Sequence, residues 1–349
     1  MSGVFKNSVK YIIIVTIMFY LLYDAFQHID TQALNGKTRW QFISSYWLAS
    51  NKWFIFCSLL CAILSHITRA MRWKLVLAPI GYKKISLQNA TWAVLNGYFV
   101  NLFIPRGGEL SRPISLQKTE GVPTDIGIGT VLAERIIDLI FLFICISTVM
   151  LFESEIILSF IDQGILFLKS NQKELKNGSS SWQLITLILF FVVLVLGSVF
   201  LFIFKKSAVN IILNKTLVFA KGIWEGIISI SKLENRSLFV FYSILIWVFY
   251  YLMMTFLLIS FEETKPIGVT GALTIFVIGG IAMAIPLPGG TGSYHIMVSF
   301  AISKLALISI ASSVAIVTVL HGIHTVLLII LGGFSVYFIA KNTKYADKK

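Results

Sequence analysis

Long apolar runs alternate with short charged ones along the chain, and the runs are of two kinds. Unbroken runs cover Tyr11 to Phe26, Trp53 to Thr68, Ile126 to Phe152, Trp182 to Phe204, Leu238 to Phe261 and part of Leu305 to Ala340. Several approach or exceed the roughly 18 residues that mark a spanning helix. Two further runs are interrupted. Ser86 to Pro105, punctuated by Asn89, Asn96 and Asn101, halts at Pro105-Arg106-Gly107-Gly108 and resumes at Glu109. Ile267 to Ile285 halts at Pro286-Leu287-Pro288-Gly289-Gly290-Thr291-Gly292 and resumes from Ser293 to Ser303. Proline lacks the N–H that would continue a helix, and paired glycines let the backbone reverse. Non-helical backbone at membrane depth survives only where protein covers it or where it lines a polar cavity. Each interruption is therefore predicted to be the tip of a re-entrant helical hairpin. The predicted fold is an all-α integral membrane protein of about six transmembrane helices and two hairpins, in a single polytopic domain of residues 1–349.

Charge assigns the sides. Of 349 residues, 57% are hydrophobic and 13% charged, against about 25% charged in a soluble domain. The net charge of +13 is concentrated beside the apolar runs, as topology and anionic lipid contact require, which argues against nucleic acid as a partner. Arg69, Arg72, Lys74, Lys83 and Lys84 read as a cytoplasmic loop closing the second span. Lys205, Lys206, Lys215, Lys221, Lys232 and Arg236 read as the next, and Lys6, Lys10 and Lys341 place both termini inside. Glu153, Glu155, Asp162, Glu262 and Glu263 mark the outside, with Phe160 to Ser181 an external segment. The hairpins then enter from opposite faces, the pattern of an inverted repeat whose broken elements meet at a midplane substrate site. No sequence repeat between the halves accompanies this pattern. The N-terminal run resembles a signal peptide but lacks a small-residue cleavage site, so it is predicted to stay as the first helix. Trp40, Phe42, Tyr46 and Trp47 suit a segment at the membrane interface.

Candidate chemistry is sparse. Cys57, Cys61 and Cys145 all lie in apolar runs and imply no disulfide framework. His321 and His324 share a helix face, but no acid or cysteine beside them completes a metal set, so neither metal nor cofactor is expected. No Ser-His-Asp spacing, P-loop or dinucleotide fingerprint occurs. The informative residues are charges inside apolar surroundings, each costing about 2.5 to 3.5 kcal/mol to insert. Arg106, Glu109 and Arg112, at spacings of three, are predicted to share one helix face after the break. Arg135 and Asp138 are placed to pair, with Glu134 turned toward Arg106 or Arg112. The plain alternative is a set of structural ion pairs locking the hairpin to its neighbour. Gly289 and Gly290 are positioned to offer backbone N–H groups to an anion; for Gly292 a tight turn is the better reading.

These residues also carry a family pattern. Asn96-Gly97-Tyr98, Asn101, Pro105 to Arg112, Ala133 to Asp138 and Pro286 to Gly292, in that order and at those intervals, resemble the transmembrane region of the lysylphosphatidylglycerol synthase family. That region is the flippase part of the bacterial multiple peptide resistance factor, and the resemblance spans roughly Trp53 to Ala340. It implies a lipid translocator of the bacterial inner membrane, without the aminoacyl-transferase chemistry of the full-length synthase. Arg106 and Arg112 would bind a lipid phosphate. Asn101, Glu109, Glu134, Arg135 and Asp138 would complete the head-group site. Pro286, Pro288, Gly289, Gly290, Gly292 and His295 would form a gate. Many members carry Glu where this chain has His295, which replaces an anionic acceptor by a titratable imidazole. The implied partners are anionic phospholipid or polyprenyl phosphate, with a homodimer or a lipid-modifying enzyme as protein partner. The rival is a membrane-embedded transferase on lipid head groups or polyprenyl-linked sugars, with Glu109 or Glu134 as general base. A third is a non-catalytic partner of such an enzyme.

Overall fold

Most helices start where the sequence supplies a cap. The computed structural model describes Gly36 and residues 38–152, 221, 224–225 and 228–343. Helix α1 (Arg39–Ala49) opens on a capping box in which Thr38 Oγ1 accepts from the Gln41 N–H and Gln41 Oε1 accepts from the Thr38 N–H. Helix α2 (Lys52–Leu77) opens on Asn51 and gives way to a 3-10 turn at Pro79. Ser86 caps α3 (Leu87–Asn101), and α4 (Gly108–Glu120) closes on Gly121. After α5 (Thr124–Phe152), Asn235 caps α6 (Arg236–Ile259). Helices α7 (Gly268–Ala284) and α8 (Ser293–Ala306) precede α9 (Ile310–Lys341), which Ser309 caps. No strand occurs among the described residues.

Five of these stretches are long and apolar enough to cross a membrane: Lys52–Ile80, Thr124–Phe152, Arg236–Ile259, Glu262–Ala284 and Ile310–Lys341. Large apolar side chains such as Leu139, Phe143, Phe241 and Phe334 point outward from them, as lipid rather than water demands. The protein is an all-α, multi-pass membrane protein. The predicted spans Tyr11 to Phe26 and Trp182 to Phe204, and the predicted external segment Phe160 to Ser181, lie outside the described residues. The chain divides into a unit of residues 1–153 and 223–349 and a unit of residues 154–222, which apart from Lys221 is also outside them.

One expectation needs correction. The second span does not end at Thr68 in a basic loop; α2 runs on to Leu77 with Arg69 and Arg72 buried within it. Its inward residues Ile55, Ser58, Ala62, Ser65, Arg69, Arg72 and Val76 keep a helical spacing of three and four, so the arginines continue an inward face rather than leave it. The first arm of the second hairpin, with its 3-10 entry Glu262–Ile267, is long enough to cross by itself.

Both breaks form tight helical hairpins. In the first, α3 and α4 approach so closely that a Cβ on Gly108 would lie 2.0 Å from the Gly97 carbonyl oxygen. Asn101 Oδ1 accepts from the Gly108 N–H at 2.7 Å and so satisfies the start of α4. In the second, Ser293 Oγ donates across the turn to the Ala282 carbonyl at 3.0 Å. The order helix, hairpin, helix thus occurs twice: α2, α3/α4, α5 and then α6, α7/α8, α9. Packing follows the same duplication, since α3 lies on α9 as α7 lies on α5, and α2 pairs with α6. Along that central pair Asn51 bonds to Ser260, Ser58 to Met253 and Arg72 to Ser243, so the helices run antiparallel and the halves are inverted. The predicted inverted repeat is present in three dimensions.

The hairpin geometry makes a direct prediction. Gly108→Ala forces backbone apart and should destabilise the protein by about 1 to 3 kcal/mol, read as a lower melting temperature in detergent. Gly333→Ala, inside α9, meets nothing within 4 Å and should not lower that temperature.

Candidate functional site

Four arginines and two carboxylates meet where α2, α4 and α5 come together under α6. The i,i+4 spacing of Glu134 and Asp138 puts both on one face of α5. Asp138 receives Arg69 Nη1 on Oδ2 and Arg72 Nη2 on Oδ1, both at 2.9 Å. Arg72 Nε also reaches Glu134 Oε1 at 3.1 Å, and its Nη1 donates to Ser243 Oγ of α6 at 3.2 Å. Arg72 and Glu134 are both fully buried, so each depends on the other for solvation. Arg69 turns its remaining N–H groups to Tyr250 Oη, at 3.0 Å from Nη2, and Tyr250 Oη lies 2.9 Å from Tyr98 Oη.

Arg112 stands apart from this saturated set. Its Nη1 lies 2.8 Å from Glu134 Oε2, a close ion contact that lacks the alignment of a hydrogen bond. Its guanidinium is stacked 3.8 Å from the ring centroid of Trp73, a fully buried side chain fixed by its own bond to Thr130 Oγ1 at 2.8 Å. Arg112 Nε and Nη2 are buried and have no partner. Arg135 lies at the edge, 3.5 Å from Asp138 and with Nε also unpartnered. Arg69, Arg72, Arg112 and Arg135 against Glu134 and Asp138 leave two positive charges uncompensated.

Arg106 does not join it. The expected shared face with Glu109 and Arg112 fails because α4 starts only at Gly108, leaving Arg106 in the turn with φ at 57°. Arg106 is exposed there and donates from Nη2 to the Ala284 carbonyl at the end of α7, 3.2 Å away. Beside it Gly289 faces Leu102, with 3.3 Å between a built Cβ and Leu102 Cδ2, so the two hairpin tips touch. Gly289 has φ 58°, a conformation that glycine adopts without strain. The Gly290 N–H already donates to the Leu287 carbonyl at 3.0 Å, and the Thr291 N–H to that of Pro288 at 3.1 Å. Those amides close the turn instead of facing an anion. Pro286 is exposed at the tip, whereas Pro288, Gly292 and His295 are buried behind it. Asn101 serves the hairpin backbone. Glu109 is half-buried at the start of α4 and makes no ion pair among the described residues.

The lysylphosphatidylglycerol synthase TM region matches residues 9–332. The chain belongs to this family. A UPF0104 membrane protein of Methanocaldococcus jannaschii is 33% identical over 98 residues, which is 27% of this chain and 29% of that relative. The chain therefore matches less than a third of that protein's length. No solved structure matches.

In this lysylphosphatidylglycerol synthase TM region protein, the sequence motifs indicated Arg112, Glu134, Arg135 and Asp138, and the structure unites them. Arg69 and Arg72 were missed as site residues. The signal that could have found them is the unbroken helical spacing through Arg72 to Val76, with no Gly or Pro before Pro79. The cluster also makes a stability prediction. Arg72→Gln strips both carboxylates of a buried partner and should cost about 3 to 5 kcal/mol. Arg112→Gln leaves Glu134 held by Arg72 and should cost less. Thermal denaturation of the two variants in detergent tests the order, and the reverse order would place the scaffold role on Arg112.

Proposed function

We propose that this protein moves a phosphate-bearing lipid between the two leaflets of a membrane, with the head group received at the arginine cluster. The observation that carries the reading is Arg112: a stacked, buried guanidinium with Nε and Nη2 unpartnered, in a cluster with more positive than negative charge. Two N–H groups of one guanidinium match two oxygens of a phosphate, the geometry in which arginine surpasses lysine. The excess positive charge favours the phosphate over a cationic substituent. The unpaired Glu109 is then the group that meets a positive portion of the head group. The acyl chains stay in lipid throughout.

In this reading the touching hairpin tips are the gate. Separating Arg106 from the Ala284 carbonyl and Leu102 from Gly289 would connect the cluster to the opposite leaflet. The termini face the cytoplasm of a bacterial inner membrane, following the lysine distribution, and a second copy or a lipid-modifying enzyme is the protein partner. The transferase rival with Glu134 as general base is disfavoured, because that carboxylate is held between Arg72 and Arg112.

Purified protein in liposomes containing head-group-labelled phosphatidylglycerol tests the proposal by the rate at which label crosses leaflets. Loss of a desolvated charged partner is worth about 2 kcal/mol or more, so Arg112→Gln should slow crossing by roughly tenfold or beyond. No crossing of any phospholipid by the wild type, or undiminished crossing in Arg112→Gln, would overturn it.

A further inference from the structure

Four of the chain's five histidines, His66, His295, His321 and His324, are drawn together on α2, α8 and α9, which pack side by side or through Ser58. The His295 and His321 rings are 5.0 Å apart, and Tyr294 stands 5.0 Å from His321 on its other neighbour position. One turn along α9, His324 Nε2 lies 3.4 Å from Ser58 Oγ of α2. His66, on the same helix as Ser58, has its ring centroid 4.4 Å from that of Tyr98, with the planes tilted by 49°. From Tyr98 the chain of contacts continues through Tyr250 to Arg69 and Asp138, and so into the arginine cluster. His66 Nδ1, His295 Nδ1 and Ser299 Oγ are buried without partners.

Within this set, the His295–His321 pair occupies the second half's counterpart of the arginine site. In the first half the junction of the second hairpin arm with the following helix is Arg112 of α4 against Glu134 of α5. In the second half the corresponding junction, α8 against α9, is His295 against His321. Elsewhere around it, α7 carries no titratable side chain, and Glu262, Glu263 and Lys265 of the 3-10 turn pair with one another or with Tyr46. On α4, Arg112 is turned to Trp73 and Glu134. No carboxylate among the described residues is within ion-pair distance of any of the four rings. No three donor groups among them are placed to hold a metal. The ligand this leaves is the proton, which imidazole binds near neutral pH.

We propose that the His295–His321–His324–His66 array is a proton-binding site whose occupancy is coupled to anion binding at the arginine cluster. The proposal rests on the lipid-phosphate reading and extends it. With the cluster empty, its uncompensated positive charge opposes a further charge on the adjoining imidazoles. A bound phosphodiester removes that opposition. One proton passes from water to an imidazole nitrogen, giving an imidazolium, and no other bond is made or broken. The proton and the phosphodiester then cross as an electroneutral pair against which the membrane potential does no work.

Binding of phosphatidylglycerol in detergent, titrated between about pH 5 and 8, tests this, because its phosphodiester does not titrate there while imidazole does. Uptake of one proton on binding requires affinity to weaken as pH rises, by up to about tenfold per pH unit. His321→Gln should flatten that slope, and His295→Gln and His324→Gln should do so if His321→Gln does not fold. A flat slope in the wild type, or an undiminished slope in all three variants, would overturn the proton site while leaving lipid binding intact. Absence of phosphatidylglycerol binding at every pH would overturn the lipid reading and the proton site together.

Discussion

The fold turns on one buried interaction, the fork by which Arg69 and Arg72 of α2 grip the two oxygens of Asp138 on α5. Neither arginine is near water, and each would be prohibitively costly without the carboxylate that faces it. The grip fixes the register of α2 against α5. Through Ser243 and Tyr250 it also fixes α6, and through Glu134 it positions the hairpin arm that carries Arg112. Stability alone gives no reason for such a cluster, since well-packed apolar residues of similar volume do as well or better. An excess of guanidinium over carboxylate is harder still to explain as scaffold. The proposed phosphate ligand supplies the negative charge that this excess lacks.

Around this centre the inverted repeat supplies the geometry. Broken helices place backbone turns and polar side chains within an apolar protein, and the two tips meet through Arg106 with the Ala284 carbonyl and through Leu102 with Gly289. Small residues make the hairpins possible: Gly97 and Gly108 let two backbones touch, and Gly127 makes room for Pro113 where α4 meets α5. The two halves share an architecture and differ in chemistry, with charged groups at one junction and imidazoles at the other.

Much of this was legible in the chain. Pro105-Arg106-Gly107-Gly108 and Pro288-Gly289-Gly290 announce the hairpins because few other residues can reverse a helix so abruptly, and apolar length announces the spans. Glu134 and Asp138 are recognisable because acids inside such a run demand partners. The partners themselves were not legible. Arg69 and Arg72 follow an apolar run and precede Lys74, so the rule that places basic residues in cytoplasmic loops takes them for loop residues. Only the continued helical spacing argues otherwise, and long-range pairing to α5 decides it. Arg106 misled for a related reason: spacing of three implies a shared face only if the helix has begun, and it begins at Gly108.

The most direct test of the central claim is what the purified protein carries with it. Native mass spectrometry of the wild type released gently from detergent should show bound phosphate-bearing lipid, and Arg112→Gln, matched for folding by its melting curve, should have lost it. A wild type without phosphate-bearing lipid, or a folded Arg112→Gln that retains the same lipid to the same extent, would contradict the account.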